Sequence, residues 1–476
     1  MKGQSLRRRI LVASVVGLVL LILSPPVAAT EPLPPRIILF IGDGMGPSHR
    51  RAAQWYAVGE DGVLAMDAMP FRGSTGTTNV DGAVTDSAAA GTAIATGVKV
   101  RNGVISVDAD GAPLVTILEQ AQDEGLAVGL ATNTQMSHAT PAAFAAHVEN
   151  RSEMRLIASQ MITQRVNVLL GGGRSYFEPD LITEAVDAGY TYVDDADGLN
   201  AIDPGTTTHL LGLFAADGMP RPYSPTLASM TQTAIDVLSQ DPDGFFLMVE
   251  GGQIDWASHA NEAANVISDT LGFDAAVAVG RAYAAQAENV LVIVTADHET
   301  GGMRLSSQAT GALDEDGPFP IAGGGHFYVN WSSTKHTTAT VPTTAQGPWS
   351  HLLAGAYENT YLYEVMHTAL TAPFRLTLEG VSTGFTFTAY PFTATVHPLT
   401  NTLPFTFTWT TDEEEALFVS RGLSSTVALS WTHPAHHTLT ATVESPEVTL
   451  VATHTIEVAQ RWFDLYLPLI LRSSED

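Results

Sequence analysis

Residues 36–46, RIILFIGDGMG, carry the clearest signal for the fold. The apolar run is typical of a strand that helices cover on both faces, and the Gly-Asp-Gly that follows is typical of a turn where such a strand ends. Runs of the same aliphatic, β-branched or aromatic character occupy residues 126–133, 166–170, 244–251 and 290–296. We therefore predict a central, mostly parallel sheet flanked by helices, which is an α/β fold.

Longer alanine-rich segments lie between these runs and repeat their apolar residues at helical spacing. They predict helices over residues 87–96, 114–124, 224–239 and 261–287. Helices that alternate with strands pack on both faces of such a sheet, and ligands then bind at the carboxyl ends of the strands. We predict that residues 30–372 form this α/β catalytic unit, and that its functional residues lie where strands end.

The sequence pattern changes after residue 372. Residues 384–390, GFTFTAY, and residues 438–443, TLTATV, alternate polar and apolar side chains with a period of two. This alternation, punctuated by proline, predicts a C-terminal antiparallel β-sandwich of nearly immunoglobulin size over residues 373–460. Residues 461–476 form a tail that is too short to span a membrane, and we interpret it as a final strand or a sorting signal.

Residues 1–29 have the pattern of a secretory signal peptide. Arg7, Arg8 and Arg9 precede an apolar run over residues 10–23, and small residues end the segment at Ala29. The run is shorter than the roughly 20 residues that cross a bilayer, so cleavage near Ala29 is favoured over an uncleaved anchor. We expect export to the periplasm, the extracellular space or the cell surface.

Charge and cysteine content exclude some functions. The 476-residue chain carries 22 Lys and Arg against 50 Asp and Glu, and its formal net charge of -28 argues against a nucleic-acid partner. The chain has no cysteine, so histidine, carboxylate or hydroxyl groups must bind any metal ion. Bound cations would reverse the negative field locally and allow an acidic protein to bind a phosphate ester.

Two motifs in the first hundred residues introduce the candidate site. Asp43 ends the first predicted strand between glycines, which suits a metal ligand, although Asp-Gly is also a common turn. Ser87 begins an alanine-rich helix directly after Asp86, where the helix N-terminus favours an anion; an N-cap is the alternative role. No histidine lies nearby in a nucleophile-elbow pattern, so a metal would have to activate this serine.

The strongest local signal is residues 249–259, VEGGQIDWASH. Asp255 and His259 stand four residues apart on one helix face and can bind one ion, while Glu250 remains at the strand end. The next predicted strand ends in the same way, with Asp297 and His298 before two glycines. An acidic residue and a histidine at two strand ends favour a metal site over a pair of surface contacts.

Together these ordered motifs, over about residues 35–370, resemble the alkaline phosphatase family. The resemblance implies hydrolysis of phosphate monoesters through a phosphoserine intermediate on Ser87. It also implies that Arg151, in residues 145–151, AAHVENR, grips two phosphate oxygens through its planar guanidinium. Two zinc ions and one magnesium ion are implied as cofactors. The implied ligands are Asp255, His259 and His351 for the first zinc, Asp43, Asp297 and His298 for the second, and Asp43, Thr140 and Glu250 for magnesium.

Two positions depart from the best-known bacterial pattern of this family. His138 stands where that pattern has Asp, and Trp256 stands where it has Lys. Other family members have a similar His and Trp combination. The imidazole of His138 would weaken the binding of magnesium, coordinate the ion through nitrogen, or favour zinc or cobalt. The identity of the third ion therefore stays open. His147 is interpreted as structural, and neither His326 nor His336 is assigned a role.

Two alternatives stay open at this point. A phosphodiesterase or a sulfatase of the same superfamily would share the metal ligands, but the Asp-Ser-Ala context of Ser87 and the presence of Arg151 favour monoesters. A cell-surface adhesion protein with an inactive phosphatase-like unit would place the function in the sandwich, and the full set of ligands argues against it. The expected partners are small phosphate monoesters, with a homodimer and surface attachment through the C-terminal module as further options.

Overall fold

The computed structural model describes residues 27–29, 33–372, 374–398, 404–413, 418–445 and 448–460. The predicted signal peptide lies outside the described residues except for residues 27–29, and the tail over residues 461–476 lies entirely outside them. Both therefore stay predictions. None of the helices in the described ranges has the length and apolar character needed to cross a membrane.

Among the described residues, the strands alternate with helices as far as Thr295, and the later strands follow one another with a single α-helix, Thr360–Thr371, among them. In chain order the described strands are β1 (Val27–Ala29), β2 (Arg36–Ile41), β3 (Phe71–Gly76), β4 (Ala127–Gln135), β5 (Val168–Gly172), β6 (Thr191–Val193), β7 (Leu210–Leu213), β8 (Phe245–Glu250), β9 (Val290–Thr295), β10 (Glu299–Thr300), β11 (Arg304–Ser306), β12 (Asp316–Pro320), β13 (His326–Asn330), β14 (His336–Thr337), β15 (Val341–Gln346), β16 (Gly355–Glu358), β17 (Arg375–Glu379), β18 (Thr383–Phe385), β19 (Tyr390–His397), β20 (Thr406–Thr411), β21 (Phe418–Arg421), β22 (Ser424–Leu429), β23 (Ala435–Glu444) and β24 (Thr449–Ala459).

Ten of these strands form the central sheet in the order β16-β3-β15-β9-β2-β8-β4-β5-β7-β6. Neighbours pair in parallel throughout, except that β15 runs antiparallel to both β3 and β9. The prediction of a mostly parallel central sheet is confirmed. All five predicted strands lie in it, as β2, β4, β5, β8 and β9.

Helices cover this sheet, and the four predicted ones are present as α2, α3, α8 and α10. In chain order the described helices are α1 (Pro47–Val58), α2 (Ser87–Thr96), α3 (Ile117–Asp123), α4 (Ala139–Ala145), α5 (Met154–Thr163), α6 (Pro179–Asp187), α7 (Ala196–Asn200), α8 (Leu227–Leu238), α9 (Gln253–His259), α10 (Ala263–Ala284) and α11 (Thr360–Thr371).

Strand β2 shows how the sequence specifies a two-sided sheet. Ile37, Leu39 and Ile41 pack into one hydrophobic core, whereas Ile38 and Phe40 pack into the core on the opposite face, and all five are fully buried. Because side chains alternate along a strand, an unbroken apolar run is needed when helices cover both faces. Each such side chain stabilises the fold by about 1.5–3 kcal/mol relative to an exposed one.

Two further sheets, built from the strands after the α/β unit together with β1, confirm the predicted C-terminal antiparallel β-structure. They have the orders β1-β17-β19-β22 and β18-β24-β23-β20-β21, and their neighbours are antiparallel except for the parallel pair β18 and β24. Alternate residues of β24 are buried, as a period of two requires when one sheet face packs on a core. Phe374 stacks on Trp349 at 4.6 Å and contacts Phe405 edge-on, so one core runs from the α/β unit into these sheets.

Candidate active site

The acidic residues predicted as ligands meet at one edge of the central sheet. Strands β8 and β9 lie on either side of β2, and Ile41 at the end of β2 is in register with both Glu250 and Thr295. The residues that close or follow these three strands therefore converge. Asp43 follows β2, and Asp297 follows β9.

One strand, β15, runs in the opposite direction, and the prediction that His351 is a metal ligand is therefore wrong. Strand β15 is antiparallel to β9, so the residues before β15 reach the ligand edge and those after it reach the opposite edge. Gly347, just after β15, lies against the carbonyl of Val290, the first residue of β9. His351 follows on that side, with its ring 6.2 Å from Trp349 and 6.4 Å from Phe71.

His336 takes the place that was predicted for His351. It lies before β15 on the two-residue strand β14, which pairs with β10 directly after His298. His336 joins Asp255 and His259 in what we call the first group, whose ligand atoms lie within 4.8 Å of one another. The sequence analysis left His336 unassigned, because only the direction of β15 shows which histidine faces the site.

The two histidines of the first group point bare nitrogens at each other. His259 and His336 each place Nδ1 at a backbone carbonyl, of Thr334 at 2.7 Å and of Thr85 at 2.8 Å, so Nδ1 carries the proton in a neutral ring. Their Nε2 atoms are then both lone-pair donors, 3.1 Å apart. Asp255 lies 3.3 Å from one and 3.6 Å from the other. A shared cation would satisfy all three side chains.

The second group consists of Asp43, Asp297 and His298, the three residues that the resemblance implied for one zinc ion. All three are fully buried, and His298 Nε2 lies 3.5 Å from Asp43 and 3.2 Å from Asp297. The same nitrogen lies 3.3 Å from the hydroxyl of Ser87. The predicted nucleophile therefore lies beside this group.

The third group consists of Asp43, His138 and Glu250, so Asp43 belongs to two groups. His138 Nδ1 lies 4.0 Å from Glu250 Oε1, whose partner oxygen accepts hydrogen bonds from two threonine hydroxyls of β4. The sequence left open whether His138 binds the third ion or only lies beside it. In the structure, its Nδ1 faces the other ligand atoms of the group. Trp256 packs edge-on against His138 at 6.0 Å and so shapes the wall of this group.

Unpaired polar atoms mark where cations fit. Within the described residues, the buried side-chain atoms that lack hydrogen-bonding geometry to any partner include five from the second and third groups and the hydroxyl of Thr140: Asp43 Oδ1 and Oδ2, His138 Nδ1, Glu250 Oε1, Asp297 Oδ2 and Thr140 Oγ1. A buried polar atom without a partner costs about 1–3 kcal/mol. These oxygen and nitrogen donors are the ligand types that divalent cations take in a cysteine-free protein.

Burial and crowding of like charge perturb the same side chains. The pKa of Asp43 is raised well above its ordinary value by burial and by the charges of Asp297, Asp255 and Glu250. Burial raises the pKa of Glu250 to about 7, against the hydrogen bonds that it accepts. Carboxylates that repel one another in a buried site would ionise together only with cations between them.

Helix α2 presents Ser87 as its first residue. The Asp86 side chain caps this helix by accepting a hydrogen bond from Ala89 N at 3.0 Å. The other Asp86 oxygen accepts from Gly103 N and from Arg151 Nη1, both at 3.0 Å. Arg151 Nη2 lies 3.2 Å from His138 Nε2. The serine hydroxyl thus lies at a helix N-terminus, and a guanidinium is paired with the residue before it, an arrangement that suits an anion.

The fold and these groups define an α/β protein with overlapping metal-ligand clusters beside a serine that begins a helix. A family model described as "Alkaline phosphatase" matches residues 35–315. The chain belongs to the alkaline phosphatase family.

Relatives and solved structures agree with this assignment. The chain is 40% identical over 292 residues to alkaline phosphatase 3 of Bacillus subtilis. The match covers 57% of this chain and 62% of that protein, which is less than two thirds of the relative's length. It is 34% identical to the alkaline phosphatase of Escherichia coli, covering 70% of this chain and 85% of that one. The structure of the cold-active alkaline phosphatase of Shewanella sp. is similar, with a TM-score of 0.64 and 32% identity over 70% of this chain and 99% of that one.

Proposed function

We propose that this protein is an alkaline phosphatase that hydrolyses phosphate monoesters to an alcohol and inorganic phosphate, with Ser87 as nucleophile. The observation that carries the proposal is the position of the Ser87 hydroxyl, 3.3 Å from His298 and at the N-terminus of α2. A serine that only capped a helix would not need three groups of metal-ligand side chains beside it. Asp86 already supplies the cap, which leaves the Ser87 hydroxyl available for chemistry.

The donor sets of the three groups indicate which cations each would hold. The first group, with two histidines and one carboxylate, has the donor set of a zinc site, and the second group has one histidine and two carboxylates, which also suits zinc. The third group, extended by Thr140, would hold magnesium if His138 stayed out, but its nitrogen favours zinc or cobalt. When bound, such cations stabilise charge on the attacking and leaving oxygens of a phosphoryl transfer.

The protein's own residues would share the remaining work. Ser87 attacks phosphorus, the ester oxygen leaves, and water then hydrolyses the phosphoserine to restore the hydroxyl. The first backbone N–H groups of α2 face the developing negative charge. Arg151 binds the non-bridging phosphate oxygens, and Asp86 holds its guanidinium by a 3.0 Å ion pair. A diester carries one negative charge where a monoester dianion carries two, so the guanidinium attracts it less strongly, which favours monoesters.

The domain division and location stay part of the proposal. We assign catalysis to residues 30–372 and a spacer or attachment role to an immunoglobulin-like module at residues 373–460. Export through residues 1–29 is also proposed. Strand β1 pairs with Glu379, Leu378 and Thr377 of β17, so cleavage after Ala29 would remove this edge strand. N-terminal sequencing of the secreted protein would measure the cleavage position.

Hydrolysis of chromogenic esters tests the function. The purified chain, loaded with zinc and magnesium, would be assayed on p-nitrophenyl phosphate, the bis-ester and the sulfate ester across pH, with and without a chelator. We expect the monoester to be preferred, with turnover lost on chelation and restored by metal. Ser87→Ala should remove turnover, whereas Ser175→Ala, a change in a serine that belongs to none of the three groups, should not. Preference for the diester or the sulfate would assign the protein to another class of the superfamily.

A further inference from the structure

Thr300 lies between the first and second groups. It is the second residue of β10, is fully buried, and follows His298 by two positions. Its strand pairs with β14, so Thr300 is directly opposite His336. Its backbone N–H donates to the carbonyl of Gly44 at 3.0 Å, which ties it to the turn that carries Asp43. The main chain at Thr300 therefore touches segments that supply ligands to both groups.

The hydroxyl of Thr300 makes a second and more specific link. Its Oγ1 lies 2.5 Å from Asp255 Oδ1 and 3.3 Å from His298 Nδ1. An ionised carboxylate can only accept, so the single hydroxyl proton goes to Asp255. The oxygen can then only accept from His298, so the imidazole proton lies on Nδ1. His298 Nε2 is left with its lone pair toward Asp43, Asp297 and Ser87.

We propose that Thr300 is a positioning residue that couples the two metal sites, by orienting Asp255 in the first group and by fixing His298 in the tautomer that a metal ion needs. The inference rests on the proposed function only in taking both groups to bind metal ions. Histidine ligands need such a partner on their other nitrogen, and loss of one typically costs about 10- to 100-fold in metal affinity. Here one hydroxyl serves ligands of two different sites, so its loss should weaken both.

The substitutions Thr300→Val and Thr300→Ser separate the hydroxyl from the shape of the side chain. Valine keeps the volume but leaves Asp255 Oδ1 and His298 Nδ1 without this partner. Serine restores the hydroxyl. A matched control is Thr343→Val, since Thr343 is also fully buried on the central sheet and its hydroxyl contacts those of Thr75 and Thr295 at 2.7 and 2.9 Å. This control removes a buried hydroxyl network that touches none of the three groups.

Competition between the full chain and a chromogenic zinc chelator measures the affinity of both sites without any phosphate ester. We expect Thr300→Val to lower zinc affinity at both sites by about 10- to 100-fold, Thr300→Ser to recover most of it, and Thr343→Val to match the parent. The visible spectrum of the cobalt-loaded protein should change in Thr300→Val at both sites. If Thr300→Val does not fold, as judged by circular dichroism, the smaller Thr300→Ala replaces it.

Three results would overturn the role of Thr300: zinc affinity in Thr300→Val equal to that of the parent, a loss confined to one site, or a loss that Thr300→Ser does not repair. An equal loss in Thr343→Val would reduce the effect to general destabilisation and overturn it too. A parent that binds two zinc ions but hydrolyses no monoester would contradict the proposed function while leaving the coupling by Thr300 intact.

Discussion

His259 and His336 face each other through their Nε2 atoms at 3.1 Å, while a backbone carbonyl holds the opposite nitrogen of each ring. Two lone pairs at this distance repel unless a proton or a metal ion lies between them. Asp255 beside them lowers the cost of either cation, and its hydrogen bond raises the pKa of His259 to about 9. Without a metal, the pair would therefore bind a proton, which a metal ion must displace.

Exchanging the histidines tests which one binds the metal. His336→Gln should release one zinc ion per chain and lower phosphatase activity by about 100-fold or more, because it removes a donor and not just a neighbour of one. His351→Gln should retain both zinc ions and activity near that of the parent, because His351 lies at the opposite edge of the sheet. Metal content by atomic emission and turnover of p-nitrophenyl phosphate measure the two effects. Retention of zinc by His336→Gln and its loss from His351→Gln would show that His351, and not His336, binds the metal ion.

The incorrect prediction of His351 as a ligand shows which structural features can be inferred from sequence patterns. Apolar runs give strands, and in a parallel sheet each carboxyl end lies at one edge, so Asp43, Glu250 and Asp297 could be predicted as neighbours. The prediction of Ser87 at a helix start was equally local and matches the first residue of α2. The pairing of strands distant in sequence is a tertiary property. Since β15 runs against β9, the residue before the strand faces the site, and no local pattern carries that direction.

The roles of Thr132, Thr134 and Thr300 were also beyond sequence reasoning. Threonine is common in strands, so its presence in β4 or β10 signals nothing by itself. Only the pairing of β4 with β8 brings the first two hydroxyls to Glu250. Residues that bind ligands have the distinctive chemistry of acids and histidines, whereas residues that orient those ligands are recognised through their contacts.

The clamp on phosphate should depend on the shape of Arg151 as well as on its charge. Its guanidinium is held by Asp86 through one nitrogen and lies beside His138 through another. Arg151→Lys keeps the charge but loses the planar fork, and we expect kcat/KM for a monoester to fall about 10- to 100-fold, mainly through KM. Inorganic phosphate should inhibit the variant more weakly by a similar factor. Unchanged phosphate inhibition would show that Arg151 does not bind the phosphate group.

The third group should change its metal preference when its nitrogen donor is removed. His138 is buried, and burial together with the charge of Arg151 lowers its pKa to about 3, so its ring is neutral. To bind a metal ion through Nδ1, the ring must carry its proton on Nε2, so the contact of Nε2 with Arg151 would have to open. His138→Asp supplies oxygen instead, which magnesium prefers, so activation by magnesium should increase while binding of zinc or cobalt to this site falls. Trp256→Phe keeps an aromatic wall against His138 and serves as the control. Equal magnesium activation of the parent and His138→Asp would mean that His138 does not set the selectivity.

The pair His147 and Glu119 should make stability depend on pH away from the metal groups. His147 Nε2 lies 2.9 Å from Glu119 Oε1, and the same carboxylate accepts from Thr116 N at the start of α3. Burial lowers the pKa of His147, but the hydrogen bonds to Glu119 and to the carbonyl of Ser106 outweigh the effect of burial, so the pKa lies above its ordinary value of 6.5. For Glu119, burial opposes the shift, yet the bond to His147 and those from Thr116 bring its pKa below 4.5.

The signs of these shifts give a window in which the pair stabilises the fold. A raised histidine pKa contributes stability that is complete below the unfolded value of about 6.5 and is lost as the pH rises through the folded value. A lowered glutamate pKa contributes stability above its unfolded value of about 4.3, which is lost as the pH falls through the folded one. Both terms are therefore present between about pH 4.5 and 6.5.

Glu119→Gln tests this window, because it removes the charge while keeping an oxygen that can cap α3. On the metal-free protein, we expect the unfolding free energy of the parent to exceed that of Glu119→Gln by about 1 kcal/mol near pH 6, a modest value because both side chains are partly exposed. The difference should shrink toward pH 9, as the pH rises through the raised pKa of His147. Urea unfolding at both pH values measures it. A difference that stays constant from pH 6 to pH 9 would mean that the capping hydrogen bond, and not the ion pair, makes Glu119 stabilising.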